Sequence, residues 1–174
     1  ERHMEERIWE FAETNDNRVQ ELIEEAAVTR PIALVLSARD ISPGTVRDFL
    51  CPDLTNIGDP FLLPGTRAAS ERLWQAVSRG EQIIIHGDYD TDGITASALL
   101  ASVLRKNGAR VSCYLPHRID DGYGLTAESI AKVSASNCDL LLTVDCGITS
   151  HEAAAAAQNI NLDLIITDHH TPGP

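Results

Sequence analysis

From Glu81 onward the chain alternates between short, wholly apolar runs and longer stretches in which apolar residues recur every three or four positions. Gln82–Ile85, Leu140–Val144 and Leu164–Thr167 are too short for helices and lack polar alternation. Such runs read as strands buried on both faces, the pattern of a parallel sheet. Ala109–Leu115 supplies a further strand. Helical periodicity fills the gaps over Ile94–Asn107, stopped by Gly108, and over Thr126–Ser136. A third helix opens at Thr149, with Glu152 three residues on as a capping-box partner. Strand and helix in succession predict an α/β fold: an open, mainly parallel sheet with right-handed crossovers and helices on both faces.

Before Glu81 the rhythm is helical and broken. Residues 5–27 place Ile8, Phe11, Val19, Leu22, Ile23 and Ala26 in an interrupted stripe, with a turn expected over Thr14–Asn17. Pro31 restarts the chain into a short helix through Ala38. Four prolines between Ile41 and Gly65 predict loop with at most short helical turns. Thr66 reads as the N-cap of a helix whose inner face is Ala69, Leu73, Ala76 and Val77, closed by Gly80. The expected organisation is a helical and loop lead-in over residues 1–65 and an α/β domain over 66–174.

With 43% hydrophobic and 23% charged residues the composition is that of a globular domain, and no apolar run is long enough to span a bilayer. A cytoplasmic location is the default expectation. Four cysteines without CxxC pairing read as small thiols, with Cys113, Cys138 and Cys146 expected to be buried. The net charge of −12 is uneven: residues 81–174 carry twelve acids against five bases. That is not the basic footprint of a self-sufficient nucleic-acid binder. Part of the acidic excess, however, stands where cations would neutralise it.

Each of the three apolar runs ends in metal-binding side chains. The first leads into His86-Gly-Asp88-Tyr-Asp90-Thr-Asp92-Gly93, the second into Asp145-Cys-Gly147 and the third into Asp168-His169-His170. Ligands of open parallel sheets gather beyond the carboxyl ends of the strands, so the three clusters are expected to converge. A calcium loop is excluded for Asp88–Asp92, because Leu99 falls where a bidentate glutamate is required. An aspartyl phosphatase fits poorly: its lysine would have to be Lys106 or Lys132, both on predicted helices. A pair of divalent cations accounts for all the clusters. His86 and Asp90 would serve one ion, Asp92 and His169 the other, and Asp145 would bridge them. Asp88 and Asp168 would orient a histidine or the turn, and His170 would contact a phosphoryl oxygen. Mixed imidazole and carboxylate ligands favour manganese over magnesium or zinc. The loop Leu115–Leu125 also follows a strand, making Arg118 a candidate phosphate clamp and Tyr123 a candidate stacking residue.

At these residues the chain resembles the DHH phosphoesterase superfamily, after Asp168-His169-His170, and more narrowly its RecJ-type single-strand DNA exonucleases. The likeness runs from Trp9 to Pro174 and includes the Asp59-Pro60 loop, the His86–Gly93 motif, Asp121–Leu125, Thr143–Ile148 and Thr167–Pro172. The resemblance implies 5′-to-3′ hydrolysis of single-stranded DNA to 5′-mononucleotides in recombination and repair. It implies Mn2+ or Mg2+ as cofactor, with ligands among Asp90, Asp92, Asp145 and the His169–His170 pair; His86 matches a ligand of the wider superfamily. By the same resemblance a single-strand-binding protein and a recombination helicase are expected partners, and no membrane. A fourth family motif with another metal-ligating aspartate, and the DNA-clamping domains, have no counterpart before residue 174, so little activity is expected of this segment by itself. Two further readings stay open: an enzyme for short oligonucleotides or cyclic dinucleotides, and a non-catalytic scaffold.

Overall fold

The computed structural model describes residues 10, 12–53, 55, 57–117 and 124–173. Two compact units divide the chain, Glu1–Leu62 and Leu63–Pro174.

In the first unit, α1 (Asp16–Ala26) begins at Asn15, whose side chain accepts from the backbone N–H groups of Asn17 and Arg18. The expected interruption over Thr14–Asn17 is therefore the capped start of one helix. α2 (Arg30–Ala38) has a proline in its first turn, where no backbone donor is needed. α3 (Val46–Leu50) is a five-residue helix inside the predicted loop. Val19, Leu22, Ala33, Leu36 and Val46 form the unit's core.

The second unit opens with α4 (Thr66–Arg79), for which Gly65 in the left-handed region, not Thr66, is the N-cap residue. Then follow β1 (Gln82–Gly87), α5 (Thr91–Lys106), β2 (Arg110–Tyr114), α6 (Ala127–Ser134), β3 (Leu140–Val144), α7 (His151–Asn159) and β4 (Asp163–Thr167). All pairings are parallel, in the order β2-β1-β3-β4. Ile83, Ile85, Leu140, Leu142 and Val144 face Ala76 of α4 and Ala101 and Leu104 of α5. Ile84 and Leu141, on the opposite pleat, face Ile130 and Val133 of α6 and Ala153 and Ala157 of α7. The unbroken apolar runs of β1 and β3 thus reflect helices on both faces. At the other end of the sheet Arg72 donates to Glu81 and Asp163, tying the starts of β1 and β4 to α4.

Three local expectations fail. β4 is not buried on both faces but half exposed, because among the described residues it pairs with β3 alone. Cys113 is exposed on β2, the other edge. Thr149 and Glu152 do not form a capping box: α7 starts after Ser150 with no side-chain cap. The motif Thr126–Ser129 on α6 forms one instead.

Candidate metal centre

The register decides where the clusters meet. Gly87 pairs with Val144 and Val144 with Thr167, so Asp88, Asp145 and Asp168 leave the sheet side by side. The chain runs outward from β1 to β2 and returns to β3 on the other flank of β1. The crevice between β1 and β3 is therefore the topological switch point, where such sheets bind ligands.

Asp90 caps α5: its Oδ1 accepts from Gly93 N at 3.0 Å, and this bond holds its carboxyl below the usual carboxylate range. Gly93 is obligatory for the close turn, since a Cβ there would collide with the Asp88 backbone. Asp88 is buried, with Oδ1 accepting from Tyr89 N at 2.7 Å and Oδ2 meeting no donor.

Asp145 sits at φ +62°, a left-handed conformation that costs a residue with a Cβ about 1–3 kcal/mol unless its surroundings enforce it. Its carboxylate is nearly buried, with both oxygens out of reach of an aligned hydrogen-bond donor. His169 Nε2 lies 2.9 Å from Oδ1. Burial, and then the neighbouring Asp90 charge, push the Asp145 carboxyl above its ordinary value. Asp145, His169 and His170 each offer a ligand atom, all within 4.8 Å of one another.

Asp168 is buried beneath His170. Burial would raise its pKa, but donors from Ile148 N, His170 N and the His170 ring outweigh it and hold the carboxyl low. The 2.7 Å contact of His170 Nδ1 with Asp168 Oδ1 in turn raises the imidazole pKa. It leaves Nε2 as the nitrogen open to a ligand. The His169 and His170 rings lie 4.6 Å apart.

A cavity of about 480 Å³ adjoins the cluster, with Asp92, Asp145, Asp168 and His169 on one wall and Ala96, Leu99 and Leu100 on another. Among the described residues the structure brings Asp145, His169 and His170 into one three-donor group, sets Asp90 beside Asp145, and lines the cavity with Asp92, Asp145, Asp168 and His169. Asp90 and Asp92 stand outside the three-donor group. His86 is fully buried at the end of β1, with Nδ1 3.7 Å from Cys146 Sγ and its ring 5.1 Å from that of Tyr114. It stands outside the three-donor group. Arg118 and Tyr123 lie outside the described residues.

Whether the donors suit a cation is a matter of unmet charge. A buried carboxylate with no aligned donor is expensive unless a cation or proton meets it. The 2.9 Å between Asp145 Oδ1 and His169 Nε2 also equals, within a tenth or two, the edge between adjacent ligands on an octahedral ion with bonds of about 2.1 Å. Oxygen and imidazole donors together suit Mn2+. The residues fit.

The DHH family, N-terminal domain, matches residues 82–174, more than half of the chain. The chain belongs to the DHH family. It is 36% identical over 167 residues to the single-stranded-DNA-specific exonuclease RecJ of Bacillus subtilis, covering 95% of this chain and 21% of that protein. To RecJ of Thermus thermophilus it is 43% identical over 111 residues, 64% of this chain and 16% of that one. The chain therefore spans about a fifth of the length of these curated relatives. Among solved structures, exonuclease RecJ bound to manganese is similar at a TM-score of 0.60 and 43% identity, covering 65% of this chain and 30% of that one. RecJ of Thermus thermophilus with Mn2+ gives a TM-score of 0.64 at 32% identity, covering 94% and 23%.

Around the DHH cluster the structure adds residues that strand-end reasoning passes over. Thr143 Oγ1 donates to Cys146 O at 2.8 Å, and Thr167 Oγ1 donates to Thr143 O at 2.6 Å. Cys146, buried beside Asp88, Asp168 and Asp145, has its thiol pushed up to about 12, first by burial and then by those charges. It is a packing residue, not a nucleophile. A threonine inside an otherwise leucine-and-valine strand was the available signal for Thr143.

Proposed function

We propose that this chain carries the cation-binding core of a metal-dependent phosphodiesterase acting on single-stranded DNA, removing 5′-mononucleotides from a 5′ end. The observation that supports it is that Asp92, Asp145 and His169 line one crevice, with Asp90 beside Asp145 and Asp145 lacking any aligned donor. The names of the relatives, single-stranded-DNA-specific exonuclease, support the substrate and end-wise attack. The 5′ polarity rests on the family resemblance alone, and the manganese- and magnesium-bound RecJ structures support the choice of cation. In this reading residues 66–174 are the DHH domain, and residues 1–65 its helical lead-in. Cytoplasmic location, a single-strand-binding protein and a recombination helicase belong to the same proposal.

Asp90, Asp92, Asp145 and His169 would hold the ions, with His86 supporting the turn from below. Divalent cations held there supply positive charge against the phosphodiester and its departing oxygen, and acidify water. Asp145, between the ends of β1 and β4, would be shared by the ions if two are held. His170, held through Nδ1 by Asp168 Oδ1, would present Nε2 to a phosphoryl oxygen. Asp168, held by three donors, fixes that imidazole's orientation.

The deciding experiment is hydrolysis of a 5′-phosphorylated, 3′-labelled single strand in Mn2+, by this chain and by a polypeptide extended to the length of its relatives. Stepwise shortening from the 5′ end that is lost in Asp145→Asn supports the reading. Indifference to Mn2+, or equal attack on duplex DNA, refutes it. Preference for dinucleotides over long strands would redirect it to a short-oligonucleotide enzyme.

A further inference from the structure

Asp145 aims its carboxylate from a left-handed backbone position, and the turn that holds it there is stitched at four points. Thr143 Oγ1 donates to Cys146 O, spanning Asp145 from one side to the other. Asp145 N donates to Thr167 O at 3.0 Å, and Ile148 N donates to Asp168 Oδ2 at 3.0 Å. Thr167 Oγ1 returns to Thr143 O. Within this arrangement Thr143 is fully buried in a strand whose other members are three leucines and a valine. Valine would fill the same space, and a buried hydroxyl is tolerated only when bonded. The hydroxyl's bond is spent on the carbonyl just beyond Asp145. Gly147, at φ +108°, leaves room for it: a Cβ there would sit 3.3 Å from Thr143 Oγ1.

We propose that Thr143 is a positioning residue whose hydroxyl clamps the Asp145–Gly147 turn, so that the Asp145 carboxylate stays directed at His169 and Asp90 before any cation arrives. The inference rests on the cation-site reading above. A threonine serving strand packing predicts no effect on ion affinity when its hydroxyl is removed without loss of volume. A clamp predicts a large one, because an aspartate free to leave the left-handed region no longer presents its oxygens to the shared centre.

The test is Mn2+ affinity by titration calorimetry on the whole chain and on Thr143→Val and Thr143→Ser, with thermal denaturation of each metal-free protein as a control on folding. Loss of a supporting partner of this kind weakens metal binding roughly 10–100-fold, and T143V is expected in that range, with T143S close to the unaltered protein. If T143V does not fold, Thr143→Cys replaces it, keeping volume with only a weak S–H donor. The inference is overturned if the variant lacking the hydroxyl binds Mn2+ as tightly as the unaltered chain. It is equally overturned if T143S loses as much as T143V. A chain that binds no Mn2+ at all overturns the underlying reading together with it. Mn2+ binding by this chain without hydrolysis of single-stranded DNA by the polypeptide extended to the length of its relatives sinks the nuclease reading and leaves the clamp standing.

Discussion

Asp145 is a residue whose burial works against the empty protein. A carboxyl with a pKa above its ordinary value binds its proton more tightly in the folded chain. It therefore lends stability at low pH and loses it as pH rises through the folded value. Asp145→Asn removes the charge and suits a left-handed backbone. The variant is expected to melt higher than the unaltered chain at neutral pH in chelator, and to show none of the rise that Mn2+ gives the unaltered chain. Differential scanning calorimetry in both conditions checks it. In the Asp168–His170 pair the two signs are combined: His170 runs the same way as Asp145 and Asp168 the opposite way. His170, with its pKa raised, contributes stability below about 6.5 that fades as pH climbs through its folded value. Asp168, with its pKa lowered, contributes above about 3.8, and that fades as pH falls through its folded value. Both contributions coexist between. In the metal-free chain the His170 ring proton resonances are expected to titrate above 6.5, and Asp168→Asn to move them back toward that ordinary value. The residues that end strands were legible in the sequence because parallel sheets deliver strand ends to one rim. Thr143 and Thr167 were not, since their bonds run to backbone atoms that only the register brings near.

At the scale of elements, the β1–α5 junction carries the tightest constraint. Gly93 lies in the first turn of α5 against the backbone of Asp88, with no flexible side chain to move aside. Gly93→Ala is expected to cost about 1–3 kcal/mol by overpacking, and to lower Mn2+ affinity by displacing Asp90 and Asp92 together. Urea denaturation and calorimetric titration read the two effects separately. The succession of strands and helices was readable because the hydrophobic period switches cleanly between them. Helix starts were read less well. At α4 and α7 a glycine's backbone freedom and an uncapped serine stand where side-chain chemistry favoured threonine. The exposure of β2 and β4 was hidden for a related reason: a strand's sequence does not reveal which strands are edges.

At the scale of the molecule, two units with separate cores imply two separable responses. Ile85, fully buried in the sheet, and Leu22, fully buried in the helical unit, are each expected to cost about 2–5 kcal/mol on truncation to alanine. Mn2+ should offset the loss in Ile85→Ala and not that in Leu22→Ala, because the proposed cation-binding residues all belong to residues 63–174. Hydrogen exchange resolved by residue distinguishes the units; protection by Mn2+ spreading equally through both would refute the separation. The strand order also has a temporal consequence. The donors come from the ends of β1, β3 and β4, some eighty residues apart, with β3 lodged between the other two. During synthesis the ribosome must release all of these strands before the pocket can exist, so in the proposed reading capture of an ion would come late, as a seal on a finished sheet and not as its nucleus.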